Sequence, residues 1–290
     1  MRKSGCYFRC FLRLVFVISA ISVVTSLAAQ SATAETALEQ GYHKMYNLDF
    51  AGAQGEFSAW ERAHPEEPTG PVSEAAGLLF SEFNRLGILE SQFFVDDAKF
   101  DARRQRSPDA GIKSRFDLAL KRAEAQSQAR LSRDPQDRDA MFAMAMCNGL
   151  RADYAALIEK RNVASLSYTR EATRWADKLL ALSPDYYDAY LATGIGKYIV
   201  GSMAAPVRWI LRLGGYAGNK QAGISELQLA AQRGHYLAPF AQLLLAIAYL
   251  REKDFKRARE VLVRLQEQFP ANTLFPREIA RLDAVRHSTP

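Results

Sequence analysis

Cysteine and histidine are scarce in this chain, and their scarcity excludes several chemistries. Of the three cysteines in 290 residues, Cys6 and Cys10 fall in an N-terminal leader, which leaves Cys147 alone. One thiol cannot form an intrachain disulfide framework. Set among Ala143, Met144, Ala145 and Met146, Cys147 reads as a small buried hydrophobe. The four histidines, His43, His64, His235 and His287, share no helical metal-ligand spacing and join no carboxylate cluster, so no metal site and no cofactor is expected. A G-x-S-x-G elbow is missing. The run Gly214-Gly215-Tyr216-Ala217-Gly218-Asn219-Lys220 is not a phosphate loop, because Asn219 splits glycine from lysine and no strand precedes it. The paired carboxylates Asp96/Asp97, Glu66/Glu67 and Asp185/Asp188 fall in loops or at helix starts, where acidic groups suit the helix dipole. No catalytic residue is assigned, and the chain is read as a non-enzyme.

Excess charge is also small once the N-terminus is understood. Arg2, Lys3, Arg9 and Arg13 precede an uncharged stretch from Leu14 to Ala34 that closes on Ala32-Thr33-Ala34. Basic, apolar and small-residue segments in that order make a secretory signal. Residues 1–34 are therefore expected to be a cleaved signal peptide, with an uncleaved anchor over residues 14–34 as the alternative. Residues 35–290 form the domain, exported to a periplasmic or secreted location. Removing four basic and no acidic side chains leaves 34 against 32, so a formal +6 becomes +2. Nucleic-acid binding loses its compositional support.

From Glu35 onward, long stretches lack proline, glycine and β-branched runs, and alanine, leucine, glutamate, glutamine and arginine dominate. What is present is a repeat. Ala53 and Pro65, Ala123 and Pro135, Ala172 and Pro184, and Ala258 and Pro270 are each twelve residues apart. The outer copies match further, Asp49-Phe50-x-x-Ala53 against Asp254-Phe255-x-x-Ala258. Each copy reads as a helix that carries a small residue early and is stopped by proline. Gly41 precedes Ala53, and Ala246 precedes Ala258, by the same twelve residues, across turns at Asn47–Asp49 and Glu252–Asp254. Small residues at these places let two antiparallel helices approach closely. In the middle of the chain Ala145 pairs with Ala172 at 27 residues, and Gly194 with Gly223 at 29, which requires longer helices or an inserted segment.

These residues resemble the tetratricopeptide repeat, a helix-turn-helix unit with small residues at fixed places and a closing proline. The likeness covers residues 35–66 and 239–271, with Trp60 and Lys44 departing from it. The expected fold is all-α, a right-handed α-solenoid of about five hairpins closed by a terminal helix from Asn272 or Thr273 to Val285, with Arg277, Glu278, Arg281 and Asp283 on its outer side. In that family the first helix of each hairpin lines a concave groove that receives a peptide or partner helix. The resemblance places Tyr42, Met45 and Tyr46, then Asp139, Phe142 and Met146, then Asp188, Leu191 and Tyr198 on this face. Leu38, Tyr42, Phe142, Met146, Leu191 and Ile195 stand where the family's carboxylate clamp has lysines and asparagines, so that clamp is not expected.

Between residues 70 and 135 the repeat is weakest, with helices expected at about 71–90 and 112–133. Two insertions stand out. Residues 96–114 carry the basic cluster Arg103, Arg104 and Arg106 and read as a solvated loop. Residues 206–220 place Trp209, Ile210, Leu211 and Leu213 with Arg208 and Arg212, an amphipathic helix suited to a neighbouring hairpin, a partner or a membrane surface. The leading expectation is an extracytoplasmic scaffold that binds a protein or peptide. The alternatives are a self-associating envelope protein using the apolar tract at 207–213, and an unrecognised hydrolase or ligand carrier.

Overall fold

The computed structural model describes residues 37–90, 107–213, 215 and 218–287. The leader, the cluster Arg103–Arg106 and Gly214 all lie outside them. Among the described residues the fold is all-α, without strands. The helices are α1 (37–46), α2 (Phe50–Ala63), α3 (Thr69–Leu86), α4 (Ala110–Arg133), α5 (Arg138–Asp153), α6 (Asn162–Leu182), α7 (Tyr190–Ser202), α8 (Ala205–Leu213), α9 (Lys220–Arg233), α10 (Ala238–Arg251), α11 (Phe255–Gln268) and α12 (Leu274–His287). Successive helices pack in pairs along the chain, with α8 set aside so that α7 packs on α9.

The alanine–proline spacing recurs as one repeated piece of backbone. Helices α2, α4, α6 and α11 end on His64, Asp134, Ser183 and Phe269, each directly before its proline. All four caps leave the helical region, with φ near −130° to −141° and ψ of 65° to 100°. The steric demand of the following proline ring on its neighbour produces this geometry. Each cap carbonyl then accepts an N–H from three residues on: Glu67, Asp137, Tyr186 and Asn272, at 3.0–3.1 Å. The alanines that begin the motif, Ala53, Ala123, Ala172 and Ala258, are all buried.

The first and last hairpins share their turn as well. Leu48 (φ 66°) and Lys253 (φ 61°) take the left-handed conformation. Asp49 and Asp254 follow, each donating its N–H five residues back, to the Lys44 and Tyr249 carbonyls. Each aspartate then caps the next helix by accepting from Gly52 or Arg257 N–H. Within the first hairpin, a Cβ added to Gly41 would come within 2.4 Å of the Phe57 ring. Phe57 itself is fully buried, so the small residue makes room for the ring that fills the hairpin.

The long central spacings have two different physical origins. Between Ala145 and Ala172, α5 runs on through a π turn (Tyr154–Ile158) before Lys160, at φ 59°, reverses the chain. Between Gly194 and Gly223, the extra length is helix α8. There α7 and α9 touch backbone to backbone. A Cβ on Gly223 would meet the Tyr198 amide nitrogen at 2.6 Å, and one on Gly194 would meet the Gly223 carbonyl oxygen at 3.0 Å.

Three details differ from the sequence expectation. The helix expected over 71–90 stops at Leu86, where Gly87 takes φ 69°. Residues 110–114, read as loop, open α4, because the Asp109 carboxylate accepts the Gly111 and Ile112 N–H groups. On α12 the expected outer face is partly buried: Glu278 is 5% exposed and pairs with Arg281, while Asp283 pairs with Arg259 at 2.7 Å. Asn272 caps this helix through the Leu274 N–H, at 3.0 Å.

Candidate functional site

Helical periodicity puts Tyr42, Met45 and Tyr46 on one face of α1, and Phe142, Met146, Gly149 and Asp153 on one face of α5. On α7 the same spacing aligns Leu191, Ile195, Tyr198 and Ser202. These faces turn inward, with those of α3 and α10, and surround a chamber of about 540 Å³. All six residues read as partner-binding, Tyr42, Met45, Tyr46, Phe142, Met146 and Tyr198, line it. Asp188 and Leu191 do too, whereas Asp139 is exposed and accepts from the Tyr186 hydroxyl at 3.4 Å. Leu38 is buried at the start of α1, away from the lining.

The chamber exists because the first hairpin meets the segments that open α10 and follow α11. Tyr42 stacks on Tyr236 with ring centres 5.1 Å apart, and its hydroxyl lies 2.9 Å from the Ser73 hydroxyl. The Tyr46 hydroxyl donates to the Tyr236 carbonyl at 3.0 Å. In return, the Asn272 amide donates to the Tyr46 carbonyl at 2.8 Å, and Ala271 N–H donates to the Asn47 side chain at 3.1 Å. Phe80 meets Phe240 edge to face at 5.1 Å, and Glu39 pairs with His235 on the surface. Burial raises the hydroxyl pKa of both Tyr42 and Tyr46, so the seam stays neutral and hydrogen-bonded. A groove that would be open in an extended solenoid is thus closed on one side.

The lining is hydrocarbon and aromatic with few polar groups, the pattern of small-ligand sites, whose volumes run from roughly 300 to 1,000 Å³. Asp188 is 4% exposed, and its carboxylate accepts the N–H groups of Tyr236 (3.1 Å) and Leu237 (3.0 Å). Its burial raises its pKa and those two amides oppose the rise. Asp188 therefore tethers the start of α7 to the start of α10. Asp153, in the last turn of α5, differs. Its carboxylate has no hydrogen-bond or ion-pair partner among the described residues, and burial alone pushes its pKa up to about 7. Part of its surface remains open, and it borders the chamber. The Tyr198 hydroxyl, on a residue 6% exposed, has the Ser202 side chain beside it but makes no hydrogen bond of full geometry among the described residues. Asp153 was overlooked in the sequence, although the spacing Phe142, Met146, Gly149, Asp153 already placed it on the inner face.

The repeat-packing alanines divide between two environments. Ala258 is fully buried between α10 and α11, together with Ala246. Ala145 and Ala172 are buried but border the chamber. The two alanines should therefore respond differently to leucine. Ala258→Leu should cost about 1–3 kcal/mol, whereas Ala172→Leu should cost less because its added methyls reach the cavity. Thermal melts of the two variants, with half-buried Ala231→Leu as reference, should order them in that way. Equal losses at 172 and 258 would show that the cavity does not reach Ala172.

Outside the chamber, α8 leaves Val207, Trp209 and Leu213 exposed, the last two at 64% and 71%. Arg208 donates to the Gly201 carbonyl at 3.2 Å and holds this helix near the end of α7. No helix among the described residues is long and apolar enough to cross a membrane. Cys147 is fully buried, its thiol pKa raised by burial. Comparison with protein families, curated proteins and solved structures returned no match. Fold and site define an all-α protein of packed helical hairpins around an apolar chamber.

Proposed function

We propose that this protein is a non-catalytic binding protein, a right-handed solenoid of about five hairpins whose concave face holds a compact, mainly apolar ligand. The observation that carries the reading is the seam: it turns the concave face from a long groove into a chamber of small-ligand size. The six groove residues retain a binding role, but toward a ligand or a short apolar segment enclosed between them rather than a helix laid along an open trough. In this reading the apolar wall supplies affinity and the few polar groups supply selection.

The neutral fluorophore N-phenyl-1-naphthylamine tests this, since its emission rises on leaving water. A single saturable site is expected. Ala192→Phe, which projects a ring from α7 into the chamber, should weaken probe binding by about tenfold or more, roughly the 1.4 kcal/mol that such a change represents. Trp209→Ser on exposed α8 should leave it unchanged. Binding that survives Ala192→Phe and disappears with Trp209→Ser would sink the proposal and move the site to the surface of α8.

A further inference from the structure

We propose that the chamber selects ligands that join an apolar body to a cationic nitrogen, with the Asp153 carboxylate as the partner of that cation. This rests on the chamber reading above and adds to it the class of ligand.

Three observations converge. First, the two carboxylates on the wall are not equivalent. Asp188 is already satisfied by two backbone amides, whereas Asp153 has no partner among the described residues. A desolvated carboxylate held without a partner is costly, and the cost is recovered when a cation arrives with its own hydrogen-bond donors. Second, the Tyr198 hydroxyl is buried on the wall and, with Ser202 beside it, makes no hydrogen bond of full geometry among the described residues. The charges around it are Glu252, Arg251 and Lys220, so it offers a second polar acceptor on the wall, apart from the Asp153 carboxylate. Third, the wall carries two carboxylates, Asp153 and Asp188, against one cation, Arg251, a balance that favours a cation over an anion.

The remaining charged or titratable groups on the wall are Tyr42, Tyr46, Asp188 and Arg251. The tyrosines and Asp188 belong to the seam. Arg251 is exposed and sits on the rim, so it is the competing determinant: were it to dominate, an anionic head group would be preferred.

Three ligands with one chain length separate these possibilities: 1-octylamine, 1-octanol and octanoate, each displacing N-phenyl-1-naphthylamine from the purified protein. Near pH 8, octylamine is expected to displace the probe at about tenfold lower concentration than octanol, with octanoate weakest. Lowering the pH to about 5 should erase the amine preference, because Asp153 takes up a proton while the amine stays charged. Asp153→Asn should make amine and alcohol equivalent to within about twofold while octanol and the fluorophore bind as before. An amine preference that persists in Asp153→Asn, or in the wild type near pH 5, overturns the assignment; so does a preference for octanoate, which would give the head group to Arg251. The wild-type pH comparison stands even if the variant fails to fold. Failure of the chamber reading looks different, since Ala192→Phe would then leave probe binding intact.

Discussion

Gly223→Ala is expected to destabilise the protein by about 3 kcal/mol or more, or to abolish soluble expression. The added methyl would sit 2.6 Å from the Tyr198 amide nitrogen and 2.7 Å from the Gly194 carbonyl oxygen. Neither atom is the end of a flexible side chain; both belong to helix backbone that cannot retreat without parting α7 from α9. That contact also includes the Lys197–Glu226 pair and the backbone bond from Asn219 N–H to the Lys197 carbonyl, at 3.1 Å. Gly55→Ala is the control, because a Cβ there meets nothing within 4 Å and helix propensity favours alanine by up to about 1 kcal/mol. Chemical denaturation should therefore move the two variants in opposite directions. Similar midpoints for both would show that α7 and α9 are not in contact at this glycine pair.

Asp153→Asn is expected to stabilise the protein, by an amount that grows with pH. The carboxylate pKa is raised from about 3.8 to about 7 in the folded protein, solely by burial. Between these values the folded state binds a proton that the unfolded state has released, so this group's contribution to stability falls as pH rises through the window. Below it both states are protonated and the side chain costs nothing extra. Above it the folded protein must hold a desolvated charge. The variant and the wild type should therefore melt alike near pH 4 and diverge by pH 8, by about 1–3 kcal/mol after allowing for the part of the side chain that stays open. Asp188 and Asp177 are also raised, and Asp109, Asp137 and Asp254 lowered, so the wild-type curve alone does not isolate Asp153. The difference between the two curves does. A flat difference, or destabilisation near pH 8, would mean that Asp153 has a partner in solution. A residue whose removal stabilises the fold, placed on the chamber wall, is what the proposed binding role leads one to expect, stability being exchanged for function.

The local rules of this fold were legible because they act over short distances. Proline dictates the conformation of the residue before it, so four prolines gave four equivalent helix ends. Asp49 and Asp254 cap their helices through their own side chains, and their turns could be read directly. Gly194 and Gly223 were paired by their small size, although the distance between them along the chain did not match the repeat. What could not be read was whatever depends on the path of the whole chain. The seam joins Tyr46 to Tyr236 and Asn272, and no periodicity encodes that meeting. Without it, Tyr42 and Tyr46 read as the wall of an open groove, while in the structure they both line the chamber and close it. Asp153 was missed for a related reason. Its position on the inner face followed from helical spacing, but its lack of partners became visible only once α6 and α7 had been folded around it. The π turn that follows it is a further local feature without a sequence signal.

The most direct measurement is a crystal structure of the protein grown with 1-octylamine. The account predicts that Tyr46 and Asn272 remain joined and that the alkyl chain lies among Phe142, Met146 and Leu191, with the nitrogen at hydrogen-bond distance from the Asp153 carboxylate. An open solenoid with its two ends apart, or an alkyl chain seated only against Trp209 and Leu213 of α8, would contradict it.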